Sequence, residues 1–159
     1  MNNLLQVLIF LIDDQQYALS LSSVIRTIRA VEVTPLPLAP ASIYGIVDYQ
    51  GQIIPVMNIR HRLLLKKKEL SVDDRFIIAS TSHRTVAMVV DHIGDILTLE
   101  EAMVTRPTKI DPDPEIAGLI RREDGIIFIY DLDQFLSEKE EEELARALAS
   151  KLSENIDND

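Results

Sequence analysis

Three histidines, His61, His83 and His92, and a large set of carboxylates are the groups with which this 159-residue chain could do acid–base or metal chemistry. Their spacing argues against both. The histidines show no metal-ligand spacing. The one His–carboxylate neighbour pair, Asp91-His92, falls at a strand end, where adjacent side chains point to opposite faces; an acid–base dyad needs its groups on one proton path. Asp111, Asp113 and Glu115 are split by Pro112 and Pro114 and lack the glycine turn of a Ca²⁺ loop, so that stretch reads as a solvated loop. The glycines, Gly45, Gly51, Gly94, Gly118 and Gly125, form neither a phosphate-cradling run nor a nucleophile elbow. Cysteine is absent, which removes disulfides, thiol nucleophiles and thiolate metal sites. The expectation is a non-enzymatic binding module with no catalytic residues, cofactor or metal. An unrelated β-barrel enzyme using His92 and a carboxylate is the remaining catalytic alternative.

Charge narrows the partners. Twenty-six acids face 16 bases, for a net charge of −10. Nucleic-acid binding needs a concentrated basic face, and the only basic run, Lys66-Lys67-Lys68, reads as a solvated loop. The apolar run Leu4–Ile12 is interrupted by Gln6 and stopped by Asp13 and Asp14, far short of the roughly 20 residues of a membrane span. No basic residue precedes it, as a signal peptide would require. The reading is a soluble, cytoplasmic protein that binds no nucleic acid and inserts into no membrane.

The elements that must position any binding residues are short strands. Val7–Ile12, a turn at Asp13-Asp14-Gln15-Gln16, and Tyr17–Leu21 read as a hairpin. Residues 22–34 are ambiguous between helix and strand, and Pro35, Pro37 and Pro40 then break regular structure. Gly45–Arg60 reads as strand, tight corner, strand; Pro55 in the second strand fits an edge, where its missing donor is tolerated. Phe76–Ala79 with Val86–Val90, and Ile126–Tyr130, complete the strands. Ser137 and Glu140 form a capping box ahead of a helix over 137–155. Leu144, Leu148, Leu152 and Ile156 give it one apolar stripe, for docking on the barrels or for a partner.

The chain also repeats itself. Gly45 set against Gly118 gives an offset of 73 (118 − 45) that runs without a gap to Leu63 and Leu136. Ile53/Ile126 and Ile54/Ile127 are identical within it, and Asn58/Asp131 is a near-equivalent. Upstream, Tyr17-Ala18-Leu19 matches Val86-Ala87-Met88, and Val24 matches Ile93, at an offset of 69 (93 − 24). Half the chain is a marginal size for an independent core, so the halves are expected to share a hydrophobic interface with a groove between them. The fold expected is all-β: two pseudo-symmetric five-stranded barrels sharing a core, plus a C-terminal helix. As one domain over 1–159, its subdomains are drawn at 15–80 and at 81–136 with strand 6–12.

The run Phe10…Tyr17-Ala18-Leu19…Val24, Leu36-Pro37…Pro40, Gly45-Ile46-Val47…Gly51-Gln52-Ile53-Ile54-Pro55-Val56…Ile59-Arg60, continued by Val89-Val90-Asp91, Ile93 and Gly118-Leu119, resembles the CheW-like coupling domain of bacterial chemotaxis over about residues 5–136. That resemblance implies SH3-like barrels and a stand-alone adaptor. Its partners would be the regulatory domain of a CheA-type histidine kinase and the cytoplasmic tips of methyl-accepting chemoreceptors, through which it would be recruited to membrane-associated arrays. The alternative is an auxiliary or decoy array component that binds the kinase domain but no typical receptor. The chain departs from the family where Asp48-Tyr49-Gln50-Gly51 replaces the usual Asn-Leu-Arg-Gly and Arg26 replaces a common glutamate. Family members can pair that acid and arginine near the receptor groove, so both departures bear on receptor preference. Val24, Arg26, Ile28, Tyr49, Gln50 and Gly51 are the partner-binding candidates, with Val24 and Ile28 equally readable as core.

Overall fold

The structure is a computed structural model that describes residues 3–106 and 116–157. Ten strands form two five-stranded sheets: β1 (Leu4–Ile12), β2 (Gln15–Ser20), β3 (Val24–Arg29), β4 (Ile43–Tyr49), β5 (Gln52–Met57), β6 (Arg75–Ser80), β7 (Thr85–Val90), β8 (His92–Glu100), β9 (Ile116–Arg122) and β10 (Gly125–Tyr130). Helix α1 (Ile59–Arg62) follows β5, and α2 (Glu138–Asp157) ends the described chain. One sheet has the order β8-β1-β2-β10-β9 and the other β3-β6-β7-β5-β4. Each closes through an isolated bridge, Thr105 to Leu119 in the first and Thr34 to Ile46 in the second, giving two SH3-like barrels. One barrel is built from the contiguous strands β3–β7 and is inserted between β2 and β8 of the other, flanking barrel. A cut at residue 80 therefore crosses both: β2, inside 15–80, pairs with β1 and β10, whereas β7, inside 81–136, pairs with β5 and β6.

The repeat is visible bond for bond. In the flanking barrel β10 runs parallel to β2 with Ile129 opposite Ala18 and Tyr130 opposite Leu19. In the inserted barrel β5 runs parallel to β7 with Val56 opposite Ala87 and Met57 opposite Met88. Applying the offsets of 73 and 69 carries one set of pairs onto the other. The repeated glycines have the same purpose. A Cβ on Gly45 would lie 2.2 Å from the Thr34 carbonyl oxygen, and one on Gly118 would lie 2.7 Å from a Val104 methyl and 3.1 Å from the Thr105 oxygen. Each glycine admits the segment that closes its barrel.

Alternation along the strands divides the apolar residues among three cores. Val7 and Ile9 fill the flanking barrel with Ile120 and Ile127. Val47, Ile54, Phe76 and Ile78 fill the inserted one. Leu8, Phe10 and Ile12 face the opposite way and meet Ile77, Ala79, Met88 and Leu144 in a core shared by both barrels and α2. That is why Val7–Ile12 is continuously apolar: both of its faces are buried. Each large side chain removed from water there contributes about 1.5–3 kcal/mol.

Local signals explain the connections. Asp13 and Asp14 have φ of 50° and 66°, a two-residue turn with the left-handed backbone that suits a hairpin. Gln50 and Gly51 repeat the geometry at 52° and 86° between β4 and β5. The capping box forms as the sequence indicates: Glu140 N donates to Ser137 Oγ at 3.1 Å and Ser137 N to Glu140 Oε1 at 3.2 Å. Leu144 and Ala147 dock α2 on the shared core, Leu148 is half-buried, and Leu152 stands exposed. The side chain of Ile156 and the Asp111–Glu115 stretch lie outside the described residues.

The edge expected for Pro55 is corrected. Strand β5 is flanked by β4 and β7. Pro55 is accommodated because its opposite residue, Ile46, turns both its N–H and its C=O to Thr34, at 2.8 and 2.9 Å. Pairing with β7 begins only at Val56.

Candidate partner-binding surface

Strand β3 carries three of the candidates and presents two faces. Opposed residues of an antiparallel pair point to the same side. Val24 opposes Ala79 and Thr27 opposes Ile77, both in the shared core, whereas Arg26 opposes Ile78 and Ile28 opposes Phe76, inside the inserted barrel. Val24 therefore packs on the core between the barrels. Ile28 packs on the barrel interior, as does Tyr49 from the end of β4. Both aliphatic candidates are half-buried core edges. Arg26 is exposed, and a bulge between Val24 and Arg26 pushes Ile25 into solvent.

Gln50 and Gly51 are the exposed tip of the β4–β5 hairpin. Asp48 holds that tip, its Oδ1 accepting from Gly51 N at 2.8 Å. A Cβ on Gly51 would meet nothing within 4 Å, so its glycine answers to φ and not to crowding. β3 and β4 are the two edges of the sheet, joined by the Thr34–Ile46 bridge, so all six candidates belong to the seam and rim of one barrel.

Sequence reasoning missed the opposite wall. Strand β8 was not anticipated beyond His92 at its start, although the Val24/Ile93 match already made it the counterpart of β3. A groove of about 280 Å³ runs between β3 and β8, lined by Thr27, Ile28, Arg29, Arg75 and Ile93. A larger recess of about 510 Å³ is lined by Ala30, Val31 and Val33, which follow β3, and by Tyr44, Leu70 and Val72.

Beside the groove, the two barrels are pinned by charge. The buried Arg60 of α1 forks onto Asp13 with two bonds of 2.8 Å and reaches Asp91 Oδ2, also at 2.8 Å. Asp91 Oδ2 also accepts from Asp13 N at 2.9 Å. Burial pushes the Asp91 carboxyl up, but the Asp13 N–H and the Arg60 guanidinium outweigh it and hold it below the usual carboxylate range. Asp91 thus belongs to Arg60, not to His92, and all three histidines are exposed. Lys68 is no free loop cation: its Nζ lies 2.7 Å from the buried Asp74. Among the described residues no group of three or more His, Asp or Glu could hold a metal ion. No helix among them is long and apolar enough to cross a membrane.

Two duplicated barrels thus share a core and leave a groove between the edge strands β3 and β8 of their two sheets. The CheW-like domain matches residues 6–140. The chain belongs to the CheW-like family. It is 29% identical over 147 residues to the chemotaxis protein CheW of Rhizobium meliloti strain 1021, covering 86% of this chain and 90% of that protein. To the chemotaxis protein CheW of Bacillus subtilis strain 168 it is 25% identical over 137 residues, 84% of this chain and 88% of the relative. In fold it is similar to the scaffolding protein TtCheW from Thermoanaerobacter tengcongensis, with a TM-score of 0.77 at 24% identity over 88% of this chain and 96% of that one. This CheW-like protein is thus one of a family of chemotaxis coupling and scaffold proteins.

Proposed function

We propose that the protein is a non-enzymatic adaptor that couples methyl-accepting chemoreceptors to a CheA-type histidine kinase, with a receptor preference set by the seam of the inserted barrel. The observation that supports this most is the family match across both barrels, joined to an exposed Arg26 and an exposed Gln50 at two of the positions where the chain leaves the family pattern. A receptor tip matched to an acid and an arginine there would meet a cation and a neutral amide instead. Exchanging the sign of a rim charge alters partner choice and association rate more than fold stability. The adaptor acts in the cytoplasm and reaches membrane-associated arrays through its partners.

The test is binding of a typical receptor tip to the wild type and to the double variant Arg26→Glu with Gln50→Arg. The double variant is expected to bind that tip at least about tenfold tighter, as a gain of about 1.4 kcal/mol would give. Equal affinity would remove these positions from specificity. Binding to the kinase regulatory domain without binding to any receptor tip would favour the auxiliary array component.

A further inference from the structure

Arg29 and Arg75 stand directly opposite each other where β3 pairs with β6. Side chains opposed in this way share one face, and like charges so placed repel. Neither guanidinium has an ion pair or a side-chain hydrogen bond among the described residues, whereas Arg60, Arg62, Arg84 and Arg106 all pair with carboxylates. The chain carries ten more acids than bases, so the missing counter-ion is not for want of carboxylates.

Both arginines line the groove between β3 and β8, beside Ile93, a half-buried residue packed on the shared core. Thr27 adds a hydroxyl to the same lining, and Val24 continues the apolar edge on the same face of β3. The groove therefore joins an apolar floor to two guanidinium forks with nothing to hold. Such forks match carboxylates in bidentate geometry and are weakly hydrated for a cation. Arg26, on the other face of β3, is not part of this pair.

We propose that the groove binds a segment of a partner protein that sets one or two carboxylates between Arg29 and Arg75 while its apolar side chains cover Ile93 and Val24. This rests on the adaptor reading and specifies the chemistry of its partner. A free inorganic anion would satisfy the arginines but leave the apolar floor uncovered, which is why a peptide segment is the fitting occupant.

The test uses the full chain, the variants Arg29→Gln and Arg75→Glu, and two probes. One probe is a receptor-tip fragment from the same organism. The other is a helical peptide bearing leucines and glutamates, compared with its glutamine counterpart. Arg75→Glu should raise the thermal midpoint, because it turns a repulsive cross-strand pair into an attractive one, and yet weaken both the tip and the glutamate peptide by about tenfold or more. Arg29→Gln should weaken both by a smaller factor, and the salt dependence of binding should flatten in each variant. Equal binding of the glutamate and glutamine peptides, or a tip that binds Arg75→Glu as well as wild type, overturns the proposal. A tip that fails to bind wild type, while the glutamate peptide binds and is lost in Arg75→Glu, upholds the groove chemistry and removes the adaptor reading instead.

Discussion

The flanking and inserted barrels follow one plan with different fittings. Both have a bulge in the edge strand that faces the other barrel. In the flanking barrel that strand carries Gly94-Asp95, and a Cβ on Gly94 would press on Ile9 at 3.1–3.2 Å. In the inserted barrel the equivalent residues are Ile25 and Arg26, both exposed. Both barrels cap the turn after the equivalent strands β5 and β10 with an Asn or Asp: Asn58 Oδ1 accepts from His61 N, and Asp131 Oδ1 from Asp133 N, each at 3.1 Å. Beyond that cap they diverge. The inserted barrel places Arg60 where the flanking barrel has Asp133, and its chain returns through a loop instead of ending in α2. Duplication kept what closes a barrel, namely register, glycine and cap. Rims and exits were free to change, and the opposed arginines Arg29 and Arg75 lie on the rim of the inserted barrel.

The largest difference between the barrels should appear at their equivalent exits. Arg60→Ala strands two carboxylates and is expected to cost about 2–4 kcal/mol, reduced from the fully buried case because Asp13 is half exposed. Asp133→Ala loses an exposed bond to Ser82 N, and should cost no more than about 1 kcal/mol in urea unfolding. Equal losses would mean that Arg60 does not pin the barrels together.

The repeated glycines come next. Gly45→Ala drives a methyl into backbone and should cost about 3 kcal/mol, whereas Gly118→Ala meets chiefly a side-chain methyl and should cost about half as much. Thermal midpoints of the two variants decide the order, and the reverse order would contradict the packing described for the closing segments.

A smaller effect is pH dependence. Burial raises the Glu140 carboxyl, but Ser42, Ser137 and Arg62 more than offset it, so Glu140, like Asp91, is held below its ordinary value. A carboxyl lowered in the folded state contributes stability that is present above its unfolded pKa and lost as pH falls through its folded one. Stability should therefore be level on their account from pH 7 to about 5 and decline below that. Urea midpoints at pH 7, 5 and 3 check this, and Asp91→Asn should lessen the acid decline. The smallest effect expected is from Asp48→Ala, which frees the hairpin tip at about 0.5–1 kcal/mol. The flanking tip, at Glu123 and Asp124, offers the control.

Much of this was legible in the sequence. Alternation and turn residues located the hairpins β1–β2, β4–β5 and β6–β7 but only the second strand of β9–β10, Ser137 and Glu140 located the start of α2, and the Gly45/Gly118 frame predicted two barrels with a shared interface. The misreadings have specific causes. Strand β8 was overlooked because its bulge at Gly94 interrupts the alternation of Ile93, Ile96, Leu97 and Leu99. Pro55 looked like an edge residue because only tertiary structure reveals that Ile46 bonds to Thr34. Strand alternation already separated Asp91 from His92, but Arg60, its partner 31 positions away in sequence, is brought to it only by the fold. The candidate surface was half visible: departures from a family pattern flagged Arg26 and Gln50, while Arg29 and Arg75 become a pair only when β3 meets β6.

An adaptor of the proposed kind links receptor to kinase physically. Its most direct test is co-sedimentation of the cognate CheA-type kinase with receptor-containing membranes, with and without the protein. The kinase is expected to pellet only when the protein is present, and Arg75→Glu, though stably folded, is expected to recruit much less of it. Kinase that pellets equally with and without the protein, or that never pellets while both partners bind it singly, would contradict such a link.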